Sequence, residues 1–448
     1  MNWPQKRIGD YLTESTIEAP APSAERRIRV RLNAEGIEKR PLMVETEGAT
    51  RYFQRKTGQF IYGKQNLHKG AFGVIPRELN GFESSSDLPA FDVADGLRPE
   101  WLAYFLKQGN FYKSLVAIAK GAATKRIQPE ALFAVELPVP IKEVQDEIIK
   151  RMDRCVLEHS RMEHEIAHQQ SLLAKLKQAI LQEAIQGKLT ADWRAAHPEV
   201  KSASKLLLRI QAEKARLIAD KKLRPEKSLP KITPAEIPFE IPKGWEWCRF
   251  GQITRAYEAG SSFKCEDREV VDEEWGVIKT SAVTSGDFAE RENKFLRTDA
   301  PADTTAQVAV GDLIFCRASG SKGLAGKCAI VRECSRNLLL SDKTIRVPLM
   351  EGISQEYVAL HNDSAQAKAY FAGLGMGKST SMNNVTRDDL FMKPVPLPPL
   401  AEQAAIVERV ESLMATCRAL EAEIEQTRTH AADLLQAVLK EAFAPASS

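Results

Sequence analysis

The sequence predicts an α+β chain: two globular domains of mixed helix and strand, each followed by a long helix. The two helices pair as an antiparallel coiled coil, about a pseudo-two-fold internal repeat. The first observation behind this is that residues 137–185 align without a gap to residues 395–443, at a constant offset of 258. Pro138, Pro140, Gln145, Ile148, Arg151, Glu163, Glu165 and Ile166 recur as Pro396, Pro398, Gln403, Ile406, Arg409, Glu421, Glu423 and Ile424. The second is that both copies carry a heptad seam of the same phase. The third is that pieces of the segments preceding the helices recur too.

The first helix has the apolar stripe Ile148, Met152, Cys155, Met162, Ile166, Leu173, Leu176 and Ile180. Adding His159 and Gln169 completes alternating steps of four and three. The second seam is Ile406, Val410, Leu413, Cys417, Leu420, Ile424, Thr427, Ala431, Leu434 and Val438. Gln169 and Thr427 are polar at equivalent places, a device that fixes register. Each helix follows a proline-rich stop, Leu137–Pro140 or Val395–Pro399, because proline suits a helix start and not its interior. About 40 residues at roughly 1.5 Å each make each helix about 60 Å long. Residues 144–180 and 402–438 are expected to pair with each other.

Ahead of the helices the repeat is weaker. Trp3 and Arg7-Ile8-Gly9 correspond to Trp245 and Arg249-Phe250-Gly251, and Gly58–Tyr62 to Gly311–Phe315, a turn entering an apolar strand. Ser86-Asp87 and Ser341-Asp342 lie at similar distances beyond. Ile127 and Leu132-Phe133 match Val385 and Leu390-Phe391. The domains are therefore read as 1–136, with its helix 137–187; a basic linker, 188–240; and 241–394, with its helix 395–448. A chain built twice points to a target with two halves.

Composition sets the class. The 448 residues are 43% hydrophobic and 27% charged, enough for several cores. No apolar run approaches the roughly 20 residues that span a bilayer, and nothing at the N-terminus reads as a secretory signal. The seven cysteines contain no C-x-x-C pair, which speaks against a cysteine zinc site and for a reducing cytoplasm. Net charge is only +3, but it is unevenly spread. Residues 186–236 hold twelve Lys/Arg against six Asp/Glu, residues 1–136 twenty against sixteen, and residues 398–443 four against eight. A basic domain and linker beside an acidic helix suit DNA in a groove. A solvated linker would give the same count.

The run Pro396-Leu397-Pro398-Pro399-Leu400-Ala401-Glu402-Gln403 resembles the domain-to-helix junction of the specificity (S) subunits of Type I restriction–modification enzymes. So does Gln178-Ala179-Ile180-Leu181 running into Gly187-Lys188-Leu189-Thr190-Ala191-Asp192-Trp193-Arg194. Ile241-Pro242-Lys243-Gly244-Trp245, opening the second domain, is a third match. The first junction departs from the pattern, with Ile141-Lys142-Glu143-Val144-Gln145, and Asn2-Trp3-Pro4 replaces a longer entry. The resemblance implies two target-recognition domains, each reading one half of a split double-stranded DNA sequence. It implies docking of two methylase (M) and two restriction (R) subunits, with AdoMet, ATP and Mg on those partners and none on this chain. Half-sites about one turn apart, roughly 34 Å, would then face one side of the duplex.

DNA contacts are expected from loops that follow the apolar strands. In the second domain Arg317, Ser319, Ser321 and Lys322 lie on a Gly/Ser loop; in the first the equivalent is Lys64, Gln65, Asn66, His68 and Lys69. A second loop carries Lys378, Ser379, Thr380, Asn383 and Asn384, and its counterpart carries Lys125 and Arg126. Gln and Asn read adenine edge-on, and Arg or Lys read guanine. Leu157, Leu172 and Leu181, off the seam, leave apolar area for a methylase subunit. Before such a partner covers it, the isolated chain is expected to be poorly soluble or partly self-associated.

Two motifs are decoys. Ala372–Ser379 fits a loosened P-loop, but a P-loop needs a strand before it and a helix after it. Here Gln355–Phe371 reads as a helix, and no Asn/Asp-Pro-Pro-Tyr/Phe methylase motif exists in the chain. His164-Glu165-Ile166-Ala167-His168 is a literal H-E-x-x-H. It lies inside the heptad helix without a third ligand, so both histidines read as solvated. His159, on the seam, reads as packed against the other helix. Three alternatives remain: a specificity protein of another methylase-based defence system, a stand-alone methyltransferase or nuclease, and a coiled-coil tether without DNA binding.

Overall fold

The structure is a computed structural model that describes residues 3–42, 50–121, 124–225, 228–297, 304–319, 321, 323–374 and 383–443. It divides into two compact units, Met1–Gln169 with Glu423–Ser448, and Gln170–Ala422. Each long helix, Lys142–Ile185 and Leu400–Ala442, contributes one part to each unit.

In the first unit a four-stranded antiparallel sheet runs in the order Leu12–Glu14, Ala90–Val93, Phe60–Tyr62, Phe72–Val74. In the second unit Glu258–Ala259, Thr344–Arg346, Leu313–Cys316 and Cys328–Ile330 follow in the same order. The repeat seen faintly in sequence is therefore a repeat of topology. Both domains close with a two-stranded ribbon that pairs entry with exit, Gln5–Arg7 with Glu136–Pro138 and Glu246–Arg249 with Pro394–Leu397. Of the prolines read as a helix stop, Pro138 and Pro396 are strand residues, and Pro140, Pro398 and Pro399 follow the strands. Pro138 and Pro396 are tolerated because the ribbon has only two strands, which leaves one edge of each free of ladder bonds. The second domain is longer because it carries a further four-stranded sheet, with Asn293–Leu296 and Trp275–Ile278 at its centre. Among its described residues the first has instead the pairs Ile28–Val30 with Ile37–Lys39 and Tyr52–Gln54 with Glu83–Ser85.

The long helices run antiparallel in both units, as the shared seam requires. In the first unit Arg151 reaches Glu441 at 3.0 Å and Arg428 reaches Glu163 at 3.8 Å. In the second, Lys177 reaches Glu421 at 2.5 Å and Thr190 reaches Glu402 at 2.8 Å. Ascending numbers on one helix meet descending numbers on the other. The seam is narrower than the heptads suggest. Both seam positions are buried where each helix starts (Ile148 with Met152, Ile406 with Val410), but farther along only Ile166, Leu173, Ile180, Cys417 and Ala431 are, whereas Met162, Leu176, Leu420 and Leu434 are 36–58% exposed. Gln169 and Thr427 do not set register against each other: both are exposed, and each bonds within its own helix, to Glu165 and to the Glu423 carbonyl. Leu181, expected on the free face, is buried at 6% exposure. The chain turns back right after it, with Gly187 and Lys188 N–H bonded to the Ala184 and Glu183 carbonyls, so this helix end is enclosed on more than its seam.

Gln145 and Gln403, both fully buried, explain why the junction glutamine recurs. Gln145 accepts from Arg98 N–H at 2.7 Å and donates to the Pro140 and Gly96 carbonyls. Gln403 accepts from Ser354 N–H at 2.8 Å and donates to the Pro398 carbonyl. One amide thus ties each long helix to its own domain and satisfies backbone groups that burial would otherwise orphan. Residues 188–240 are not a solvated linker. The helix Ala203–Ala219 buries Leu206, Ile210 and Leu217 in the core of the second domain. The helix expected over 355–371 is broken at Ser364, which is extended (ψ 154°) and separates Gln355–Asp363 from Ala365–Leu374.

Candidate nucleic-acid interface

In the first unit the strand Phe60–Tyr62 hands the chain to Lys64, whose backbone is held on both sides. Its N–H donates to the Asp87 carbonyl at 2.9 Å, and its carbonyl accepts from Ile127 N–H at 2.8 Å. Gln65 and Asn66 follow at half-buried positions, then a 3-10 turn Leu67–Lys69 pinned by fully buried Leu67. The Ile127 bond draws in the other predicted loop. Lys120 and Arg126 exchange backbone bonds at 2.9 and 2.8 Å, leaving Lys125 and Arg126 exposed beside the 64–69 turn. The arrangement is cationic. Burial, and then the charges of Lys69 and Lys125, hold the His68 imidazole below its ordinary range. Asp87 lies 3.4 Å from the Arg126 guanidinium.

The second unit repeats the arrangement with different residues. Arg317 N–H donates to the Lys343 carbonyl at 2.8 Å, and the Arg317 carbonyl accepts from Val385 N–H at 2.8 Å. Val385 and Ile127 stand 258 apart, so the two domains bring equivalent loops together through equivalent bonds. The predicted loop begins as a strand: Ala318–Ser319 pairs with Asn383–Asn384. That corrects the expectation for Ser319. It is 7% exposed, and its hydroxyl accepts from Ser321 N–H at 3.1 Å, which holds the turn. Ser321 and Asn384 are exposed, and Arg317 is half-buried. Lys322, Lys378, Ser379 and Thr380 lie outside the described residues, and Asn383 is described by its backbone alone.

Sequence reasoning missed a third component at each site, Asp87 and Lys343. The Ser-Asp doublet in each copy was its only visible trace. Lys343 is exposed beside Arg317, whereas Asp87 partly neutralises Arg126. Loops that bring cations and amides together suit phosphates and base edges. His164 and His168 are exposed, and His159 is half-buried beside a cavity bordered by Leu435 and Leu439.

Gly70 fixes the exit from the first loop. Its φ is +86°, and an added Cβ would lie 2.5 Å from Ala34 N, where the 33–34 turn donates to the Lys69 and Gly70 carbonyls. Gly70→Ala is expected to cost about 2 kcal/mol, combining left-handed strain with that clash. Denaturant unfolding followed in the first unit reads it out, and a change within experimental error would show that the turn yields freely.

No family model matches the chain. Among curated proteins it is 36% identical to the Type I restriction enzyme EcoEI specificity subunit of Escherichia coli over 265 residues. That match spans 58% of this chain but only 44% of the relative, less than half its length. The EcoKI specificity subunit of Escherichia coli K12 is 25% identical over 411 residues, 86% of this chain and 78% of that one. Among solved structures, a chain described under complex assembly and conformational transition of the type I R-M system has a TM-score of 0.60 at 16% identity. The match covers 99% of this chain and 97% of that one. The HsdS subunit from Thermoanaerobacter tengcongensis has a TM-score of 0.52 at 14% identity, covering 99% and 96%. These structures establish the fold, and the curated relatives all carry the family that the junction motifs resemble.

Proposed function

We propose that a chain so like the specificity subunits of Type I restriction enzymes is itself the DNA sequence-recognition subunit of such a complex, reading a bipartite duplex target with its two domains. What carries the reading is the duplicated loop pair: Lys64 beside Lys125 and Arg126 in one domain, Arg317 beside Lys343 and Asn384 in the other. Equivalent backbone bonds hold both pairs, yet they differ in sequence. A shared frame with unlike contact residues is what two half-sites of different sequence demand.

In this reading the chain performs no chemistry. Two methylase subunits carry AdoMet, two restriction subunits use ATP and Mg, and the assembly works in the cytoplasm. Among the described residues no helix is long and apolar enough to cross a membrane. Leu157 and Leu172, 53% and 48% exposed on the first long helix, offer apolar area to a methylase subunit. The contact residues are Lys64, Gln65, Asn66, His68, Lys69, Lys125 and Arg126 in one domain, and Arg317, Ser321 and Asn384 in the other.

The test is methylome sequencing of cells that express the chain with its methylase subunit: a split motif should appear, and vanish when the chain is deleted. Arg317→Ala should relax one half of that motif only, with a loss of about 1–3 kcal/mol if the guanidinium holds a guanine bidentately. If it holds phosphate alone, affinity falls evenly for all sequences and the salt slope flattens by about one unit. Unchanged methylation rate with both half-sites intact would remove Arg317 from the interface.

A further inference from the structure

One helix of the second unit carries exposed positive charge that closes no ion pair among the described residues, although the Arg209 guanidinium also lies against Gly352. Ala203–Ala219 turns Ala203, Leu206, Ile210 and Leu217 into the domain core. At roughly 100° per residue, Lys205, Arg209 and Arg216 fall within about 40° of one another, well away from that buried face. Ala212 lies among them and all three cations are exposed. Among the described residues none of the three has an ion-pair partner. Glu213 stands four residues after Arg209 and three before Arg216, and Asp220 four after Arg216, yet neither acid closes an ion pair with them. Lys214 shows the contrast: it serves the fold, donating to the Gly251 carbonyl at 2.6 Å. Lys201, Lys221, Lys222 and Arg224 extend the exposed positive charge beyond both ends of the helix.

From Lys205 to Arg216 the stripe runs about 16 Å at 1.5 Å per residue, comparable to about five nucleotide steps along one DNA strand. It has no aromatic anchor, and its single large apolar neighbour is Leu208, 65% exposed. Protein interfaces centre on aromatic and apolar anchors with charge depleted at the core. A row of unpaired cations fits a polyanion better.

We propose that this face of the helix Ala203–Ala219 is a sequence-independent phosphate-binding surface for duplex DNA. The proposal rests on the recognition role above and divides the labour: loops select the sequence, and this helix supplies affinity without selecting. The experiment uses the full chain co-purified with its methylase subunit, comparing wild type with the triple variant Lys205→Ala, Arg209→Ala, Arg216→Ala on target and scrambled duplexes over a range of salt. The slope of log K against log salt should become shallower by about two to three units, at roughly 0.9 per phosphate released. Affinity should fall by the same factor on both duplexes, with the methylated motif unchanged. The variant Lys205→Arg, Arg209→Lys, Arg216→Lys should keep the wild-type slope, separating charge from folding. An unchanged slope in the alanine variant, beside salt-dependent wild-type binding, overturns the proposal. So does weakened methylase association with DNA binding intact, which would assign the stripe to a protein partner. Wild-type complex that binds neither duplex would instead overturn the recognition reading itself.

Discussion

Replacing Glu402 by Leu is expected to destabilise the second unit by about 3–5 kcal/mol, the cost of removing one partner from a buried charged network. Glu402 is 1% exposed, at the start of the second long helix. Its carboxylate accepts from the Thr190 hydroxyl and the Trp245 indole, both at 2.8 Å, and pairs with the Arg194 guanidinium. Three remote segments meet at this one group: the turn after the first helix, the entry to the second domain, and the second helix. Leucine would fill the space yet leave an indole N–H and a hydroxyl without an acceptor, and the Arg194 guanidinium with the Gly187 carbonyl but no carboxylate. Glu402→Gln should cost less, because its amide oxygen still receives one of the three donors. Hydrogen exchange locates the effect: protection should fall at 187–197 and 242–246 and stay unchanged in the first domain. A Leu variant within about 1 kcal/mol of wild type would mean the donors find water instead.

At the first junction Val144 occupies the repeat position of Glu402, and it packs half-buried on the apolar core that contains Trp101.

The long helices were legible because a heptad seam needs only one dimension to be seen. Which seam positions are buried was not, since that depends on how closely the partner approaches, and Met162 and Leu434 are exposed despite perfect spacing. The candidate loops were legible through their strands and their repeat positions. Their third component escaped because Asp87 and Lys343 enter through backbone carbonyls, which any residue can supply. Ser319 was misjudged because Gly and Ser suggest a loop whether or not a neighbouring strand captures the backbone. Helix Ala203–Ala219 was masked by its charge: counting cations over 186–236 suggested a basic linker, while its four buried residues pack in the core.

Least legible of all is a buried polar group in the second domain, and it sets the other large effect. Lys393 is 1% exposed, with its ammonium 2.7 Å from the side-chain Oδ1 of Asn362 and 5.4 and 5.3 Å from the Phe250 and Phe371 rings. Asn362 donates in turn to the Gly326 carbonyl at 2.6 Å. His361 and the Cys328 thiol are buried on neighbouring elements. At offset 258 the first domain has Val135 in place of Lys393, and its core is apolar there. Burial lowers the Lys393 pKa from its ordinary 10.5 to about 8. The folded state therefore holds this proton more weakly than the unfolded state does. Below about pH 8 both states are protonated and the full desolvation cost is present; as pH rises toward about 10.5 the folded state sheds the proton first, and stability rises. Compared with Lys393→Met, which has nothing to titrate, wild type should gain about 2–3 kcal/mol between about pH 7 and pH 10. His361, held neutral by burial and by Lys393, acts in the same direction at lower pH, losing stability as pH falls through the ordinary imidazole range. It is present in both proteins, so the comparison between about pH 7 and 10 isolates the lysine. Chemical denaturation at a series of pH values gives the answer, and parallel profiles for the two proteins would mean that water reaches Lys393 and that it titrates as an ordinary surface amine.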